Sequence, residues 1–163
     1  DGTLAEDRRI AVEHPHVANH VVERGQHAPV GRGPENDAKV TPHEARIGQG
    51  RPDRIGAAAS FHGGGLVTAN ANSPHLLAPN IQASMYFGIA ANDDAGQPEA
   101  KDVLRETFAG AGVAAEIEVY ADSQHGWCVT DMPAQGDGTP IYNEVDAERA
   151  WGKLMDLYGA ALV

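Results

Sequence analysis

The heptapeptide Ile55–Phe61, IGAAASF, constrains this chain more than any other stretch. It is a small-residue apolar run with no polar alternation. Such a segment is stable as a strand only if both of its faces are covered, which is the situation of a strand inside a parallel sheet. It runs straight into His62-Gly63-Gly64-Gly65, where the glycines allow a sharp turn at the strand's carboxyl end. A second buried run, Ser84–Ala90 (SMYFGIA), is closed by Asn92-Asp93-Asp94-Ala95-Gly96. The third, 114–120 (AAEIEVY), ends just before Asp122-Ser123-Gln124-His125-Gly126-Trp127-Cys128.

Helical periodicity fills the gaps between these runs. Pro98 suits the first turn of a helix in which Ala100, Val103, Leu104, Phe108 and Ala111 share a face, with Gly112 as its stop. A last helix is expected from about Asp146 to Ala161, with Ala150, Trp151, Leu154, Leu157, Tyr158 and Ala161 as a wide apolar stripe that packs into the core. Leu66 to Gln82 reads as a long surface loop, and Asp131 to Tyr142 as irregular. Strand, strand, helix, strand, helix defines an α/β class, a parallel sheet with flanking helices.

Upstream of Pro52 the character changes. The first 50 residues contain no aromatic side chain, and they hold five of the eight histidines. Residues 1–55 carry eight Lys/Arg against nine Asp/Glu, whereas 56–163 carry four against fourteen. Residues 1–50 are therefore expected to be an atypical, poorly structured leader, and 51–163 the folded part. Within the leader a short helix is expected around Val17 to Val22, limited by Pro15 and Pro29. The chain begins at Asp1 rather than Met, as a processed product or a fragment would. One cysteine, Cys128, excludes an internal disulfide and fits a reducing, cytoplasmic compartment. A net charge of −11 argues against a nucleic-acid partner, and no apolar run is long enough to cross a bilayer.

Ligands of open α/β sheets bind beyond the carboxyl ends of the strands. Three such ends carry polar groups: His62, then Asp93 and Asp94, then His125. An acid on one strand end and a histidine on the next is the chain order of the last two members of an α/β-hydrolase triad. The carboxylate fixes the tautomer of the imidazole, which moves the proton.

The phrases PDRIGAAASFHGGGL, SPHLLAP, MYFGIAANDDAGQPEAK, AEIEVYADSQHGWC and DAERAWGKLMDLYGAAL together resemble the C-terminal half of the dienelactone hydrolase family, from about Arg51 to Leu162. The resemblance implies part of an α/β-hydrolase fold and hydrolysis of a small-molecule lactone or carboxylic ester by a nucleophile, a histidine and an aspartate, without a cofactor. Matched by position, His125 corresponds to the family histidine. Asp94 is the first choice for the acid because it keeps the four-residue step to Pro98, and Asp93 is the alternative one register away.

The nucleophile is where the chain departs from that pattern. The family places a G-x-C-x-G elbow roughly fourteen residues before the PDRI phrase. The matching segment, Glu35-Asn36-Asp37-Ala38-Lys39-Val40, has neither the glycines nor a nucleophile. No serine or cysteine occurs before Ser60, and the only upstream hydroxyls are Thr3 and Thr41. Little activity is therefore expected, and a leader translated from a shifted reading frame would account for the missing elbow. Loss of the preceding strands is also expected to leave a bare sheet edge, an apolar face and marginal stability.

The remaining residues have other expected roles. His62 is a turn residue or a substrate contact, Trp127 a wall of the substrate pocket, and His75 part of the loop. Cys128 is poorly placed to act as a displaced nucleophile. From a different class, His14, His16 and His20 suggest a His-rich metal-binding protein, with His16 and His20 four apart on a helical face, but no further ligand completes a tetrahedral site. A non-catalytic scaffold is the other alternative.

Overall fold

The computed structural model describes residues 55–161 and the backbone of residues 19–23. Expectations for the rest of the leader, for His14 and His16, and for residues 51–54 lie outside the described residues. The elements, in order, are β1 (Asn19–Glu23), β2 (Ile55–Phe61), a 3-10 segment (Pro74–Asn80), β3 (Ser84–Ala90), α1 (Ala91–Gly96), α2 (Ala100–Gly110), β4 (Ala115–Tyr120) and α3 (Glu144–Ala161).

They form a four-stranded sheet in the order β1-β2-β3-β4. β2, β3 and β4 run parallel, as the unalternating apolar runs require, with Ala59 opposite Tyr86 and Tyr86 opposite Glu116. β1 joins antiparallel on the outer side of β2, pairing Val21 with Ala58. Two expectations change here. The short helix around Val17–Val22 is replaced by a strand at Asn19–Glu23, because β-branched Val21 and Val22 meet the unpaired backbone of β2. The β2 edge expected to be bare is covered. His20 consequently lies in extended backbone.

The sheet has a core on each face. On one, Tyr86, Ala90, Tyr120, Trp127 and Cys128 pack against Ala150 and Leu154 of α3. On the other, Phe87 and Ile89 pack against Leu104 and Phe108 of α2 and against Ala78 and Ile81 around the 3-10 segment. The sequence of β3 is explained by this arrangement: alternate residues supply alternate cores, so the strand is apolar throughout. Gly88 lies where rings converge. A Cβ there would stand 3.1 Å from both Phe61 and Tyr120 and 3.4 Å from Tyr86.

Boundaries deviate in three places. Asn92 to Gly96 forms the short helix α1 rather than an open turn. The Leu66–Gln82 region contains a 3-10 helix, anchored by buried Ser73, whose Oγ accepts the Thr68 N–H at 2.8 Å. α3 begins two residues early, at Glu144, because the Asn143 Oδ1 accepts the Asp146 N–H at 3.3 Å and caps the first turn. No helix among the described residues is long and apolar enough to cross a membrane.

Candidate active site

The carboxyl ends of β2, β3 and β4 bring together His62, the Asn92-Asp93-Asp94 turn of α1 and the His125 loop. The apolar strands dictate this convergence: each must end where its core ends, and polar residues begin there.

His125 Nδ1 lies 2.8 Å from Asp93 Oδ2. A carboxylate only accepts hydrogen bonds, so the neutral imidazole must carry its proton on Nδ1, leaving Nε2 on the opposite edge as a proton acceptor. The His125 side chain is about two-fifths exposed, at 42%, and Asp93 is 26% exposed, so the pair is reachable from solvent without being fully hydrated. Asp94, the first choice from spacing, turns to Lys101 Nζ at 2.6 Å and does not touch the imidazole. α1 is the reason: starting a helix at Ala91 sends consecutive carboxylates about 100° apart around the axis, so only one faces the His125 loop.

His62 packs directly behind this pair. Its ring centroid is 4.8 Å from that of His125 and 5.4 Å from Trp127, edge-on to the latter. It has a φ of 44°, uncommon for a residue with a side chain, and its Nε2 is buried without a hydrogen-bond partner. Burial, reinforced by the neighbouring His125, lowers its pKa to about 4, so it is neutral at physiological pH. His62 thus reaches the candidate site as a buried support, not as an open surface.

Trp127, expected as a pocket wall, is fully buried and stacks on Tyr120 with centroids 4.6 Å apart. It belongs to the core because the turn at Gly126 folds the chain back under the sheet end. Gly126 has a φ of 97°, and a Cβ there would collide with Met132. Cys128 is buried too, and desolvation, aided by the Asp146 charge, pushes its thiol up to about 12. It stays protonated and unreactive. His75 is held in the loop by Ser73 Oγ, 2.8 Å from its Nδ1.

Beside Asp93 opens a cleft of about 220 Å3, bounded by Gly63–Gly65 of the glycine turn, Leu66, Asn92 and Gln97. Gln97 ties its two sides by donating from Nε2 to the Val67 carbonyl at 3.0 Å. No group of three or more His, Cys, Asp or Glu side chains able to hold a metal occurs among the described residues. Sequence reasoning missed Asn92, whose Oδ1 accepts the backbone N–H of His125 at 2.7 Å. Its position directly before the paired acids was the available signal.

Compared with known proteins, residues 45–162 match the model of the dienelactone hydrolase family. No curated protein matches the chain. Among solved structures, a protein from Klebsiella pneumoniae subsp. pneumoniae described as a dienelactone hydrolase is similar at 21% identity with a TM-score of 0.50, over 64% of this chain and 42% of that one. A dienelactone hydrolase-like promiscuous phosphotriesterase from metagenomic libraries is similar at 24% identity and a TM-score of 0.50, over 64% and 42%. A third, m3DLH, is 22% identical with a TM-score of 0.52, over 66% and 43%. The match thus spans less than half the length of each of these structures.

Proposed function

The chain belongs to the dienelactone hydrolase family, and from that premise we propose that it carries the acid–base half of a site for hydrolysing a small-molecule lactone or carboxylic ester. In this reading Asp93 orients His125, and His125 Nε2 takes the proton from the attacking group and returns it to the leaving group. The observation that carries it is the 2.8 Å contact between His125 Nδ1 and Asp93 Oδ2 at adjacent strand ends.

The attacking residue is the part this chain does not supply. Cys128 is buried and protonated, and no serine or cysteine precedes Ser60. Removal of the nucleophile from a complete triad costs on the order of a millionfold in turnover, so the chain alone should hydrolyse an activated aryl ester no faster than its His125→Ala variant.

Residues 1 to about 50 are, in this proposal, foreign to the hydrolase through translation in a shifted frame. The test joins both points. An alternative frame of the encoding DNA should contain a Gly-x-Cys/Ser-x-Gly elbow upstream of the Arg51 codon. A chain rebuilt with that segment should gain ester or lactone hydrolysis that His125→Ala and Asp93→Asn abolish. Absence of the elbow from every frame would refute the leader account, and a rebuilt chain inert toward esters and lactones would refute the function.

A further inference from the structure

The His125 loop is gripped by three consecutive residues of one short segment. The Ala91 N–H donates to the Ser123 carbonyl at 2.8 Å, Asn92 Oδ1 accepts the His125 N–H at 2.7 Å, and Asp93 Oδ2 meets His125 Nδ1 at 2.8 Å. Ser123 is itself buried, with its hydroxyl donating to Asp146 Oδ2 at 2.5 Å and receiving Asn143 Nδ2 at 3.0 Å. The loop is therefore fixed to α3 at Ser123, and His125 follows in a turn that the Trp127 N–H closes by donating to the Gln124 carbonyl at 3.0 Å, which leaves the His125 N–H itself to Asn92.

We propose that Asn92 is a positioning residue for His125: by holding the backbone N–H of that histidine, it sets the height of the ring against Asp93. Asp93 alone fixes only the ring, through one rotatable side chain. Asn92 fixes the main chain from which the ring hangs, so together they leave the imidazole one position. The two contacts come from adjacent residues because α1 begins at Ala91, which points the amide of Asn92 and the carboxylate of Asp93 toward successive atoms of the same residue. Asn92 is exposed and outside both cores, so packing does not explain its contact. The inference rests on the Asp93–His125 reading and adds to it a residue that acts on the histidine's main chain rather than on its ring.

The test uses the full chain and two readouts by nuclear magnetic resonance: hydrogen exchange of the His125 amide, and the nitrogen-15 signals of its imidazole. Asn92→Ala should speed exchange of that amide about two- to tenfold, the factor expected for loss of a single hydrogen bond. It should also mix the two neutral tautomers. Asn92→Asp, which keeps an acceptor oxygen at the same reach, should restore slow exchange and the single tautomer. Should Asn92→Ala fail to fold, Asn92→Ser retains polarity but is too short to reach, and must show the same loss. Unchanged exchange and an unchanged tautomer in the folded truncation overturn the proposal. A wild-type chain lacking the Nδ1–H tautomer would instead overturn the Asp93 reading, whatever Asn92 does.

Discussion

Asp93 and His125, 32 residues apart in sequence, meet at 2.8 Å through Oδ2 and Nδ1, while the adjacent Asp94 is bound to Lys101 at 2.6 Å. Two neighbouring carboxylates are thereby given different partners by the helix that begins just before them. Asp94→Asn is expected to weaken only that partly exposed ion pair, by about 1 kcal/mol or less. It should leave the imidazole signals of His125 where they are, whereas Asp93→Asn should move them. A denaturant melt and a nitrogen-15 spectrum of each variant check this.

His62 makes stability depend on acidity. Its pKa falls from 6.5 to about 4 on folding, first through burial and then through the charge of His125. Between those values the unfolded chain binds a proton that the folded chain refuses. The contribution is therefore fully present above pH 6.5 and is lost as pH falls toward 4, with a slope of at most about 1.4 kcal/mol per pH unit. His62→Asn, a residue that tolerates the positive φ, should flatten that slope in melts run from pH 7 to pH 4.

Much of this architecture is legible in the sequence, for reasons that particular residues make plain. Ile55–Phe61 and Ser84–Ala90 match the observed strands because an apolar run flanked by turn residues has one way to be covered on both faces. The spacing of Leu104 and Phe108 marks the buried face of α2 in the same way. What was not legible depended on partners distant in sequence. Val21 and Val22 become strand only because β2 offers them an edge. The choice between Asp93 and Asp94 turned on where α1 starts, one residue of helical phase that no periodicity in a six-residue segment can reveal. Trp127 looked like a pocket wall because it follows His125, but the left-handed turn at Gly126 sends it into the core.

The aromatic girdle around Gly88 has no room for a side chain. Gly88→Ala would press a methyl group against Phe61 and Tyr120, and these rings are fully buried and cannot withdraw. A loss of about 1–3 kcal/mol is expected, the usual cost of overfilling a packed core, seen as a lowered Tm without change in the far-ultraviolet circular dichroism of the folded state.

Cys128 should be chemically silent while the chain is folded. Its thiol is buried and raised to about 12, so at pH 8 almost none is ionised. A thiol-specific disulfide reagent should label it only at the rate of unfolding and promptly in denaturant. The same shift lowers stability as pH rises above about 9, where the unfolded thiol ionises and the folded one does not. Prompt labelling of the folded chain would mean that Cys128 is reachable, and would reopen it as a nucleophile.

The most direct measurement is the neutral tautomer of His125, read from its ring nitrogen-15 shifts and assigned with a His125→Gln variant. A proton on Nδ1, lost as the dominant form in Asp93→Asn, is the predicted result, since only that tautomer donates to Asp93 and leaves Nε2 free to accept. A proton on Nε2 in the native chain would contradict the account, because the imidazole would then face any substrate with no lone pair to act as a base.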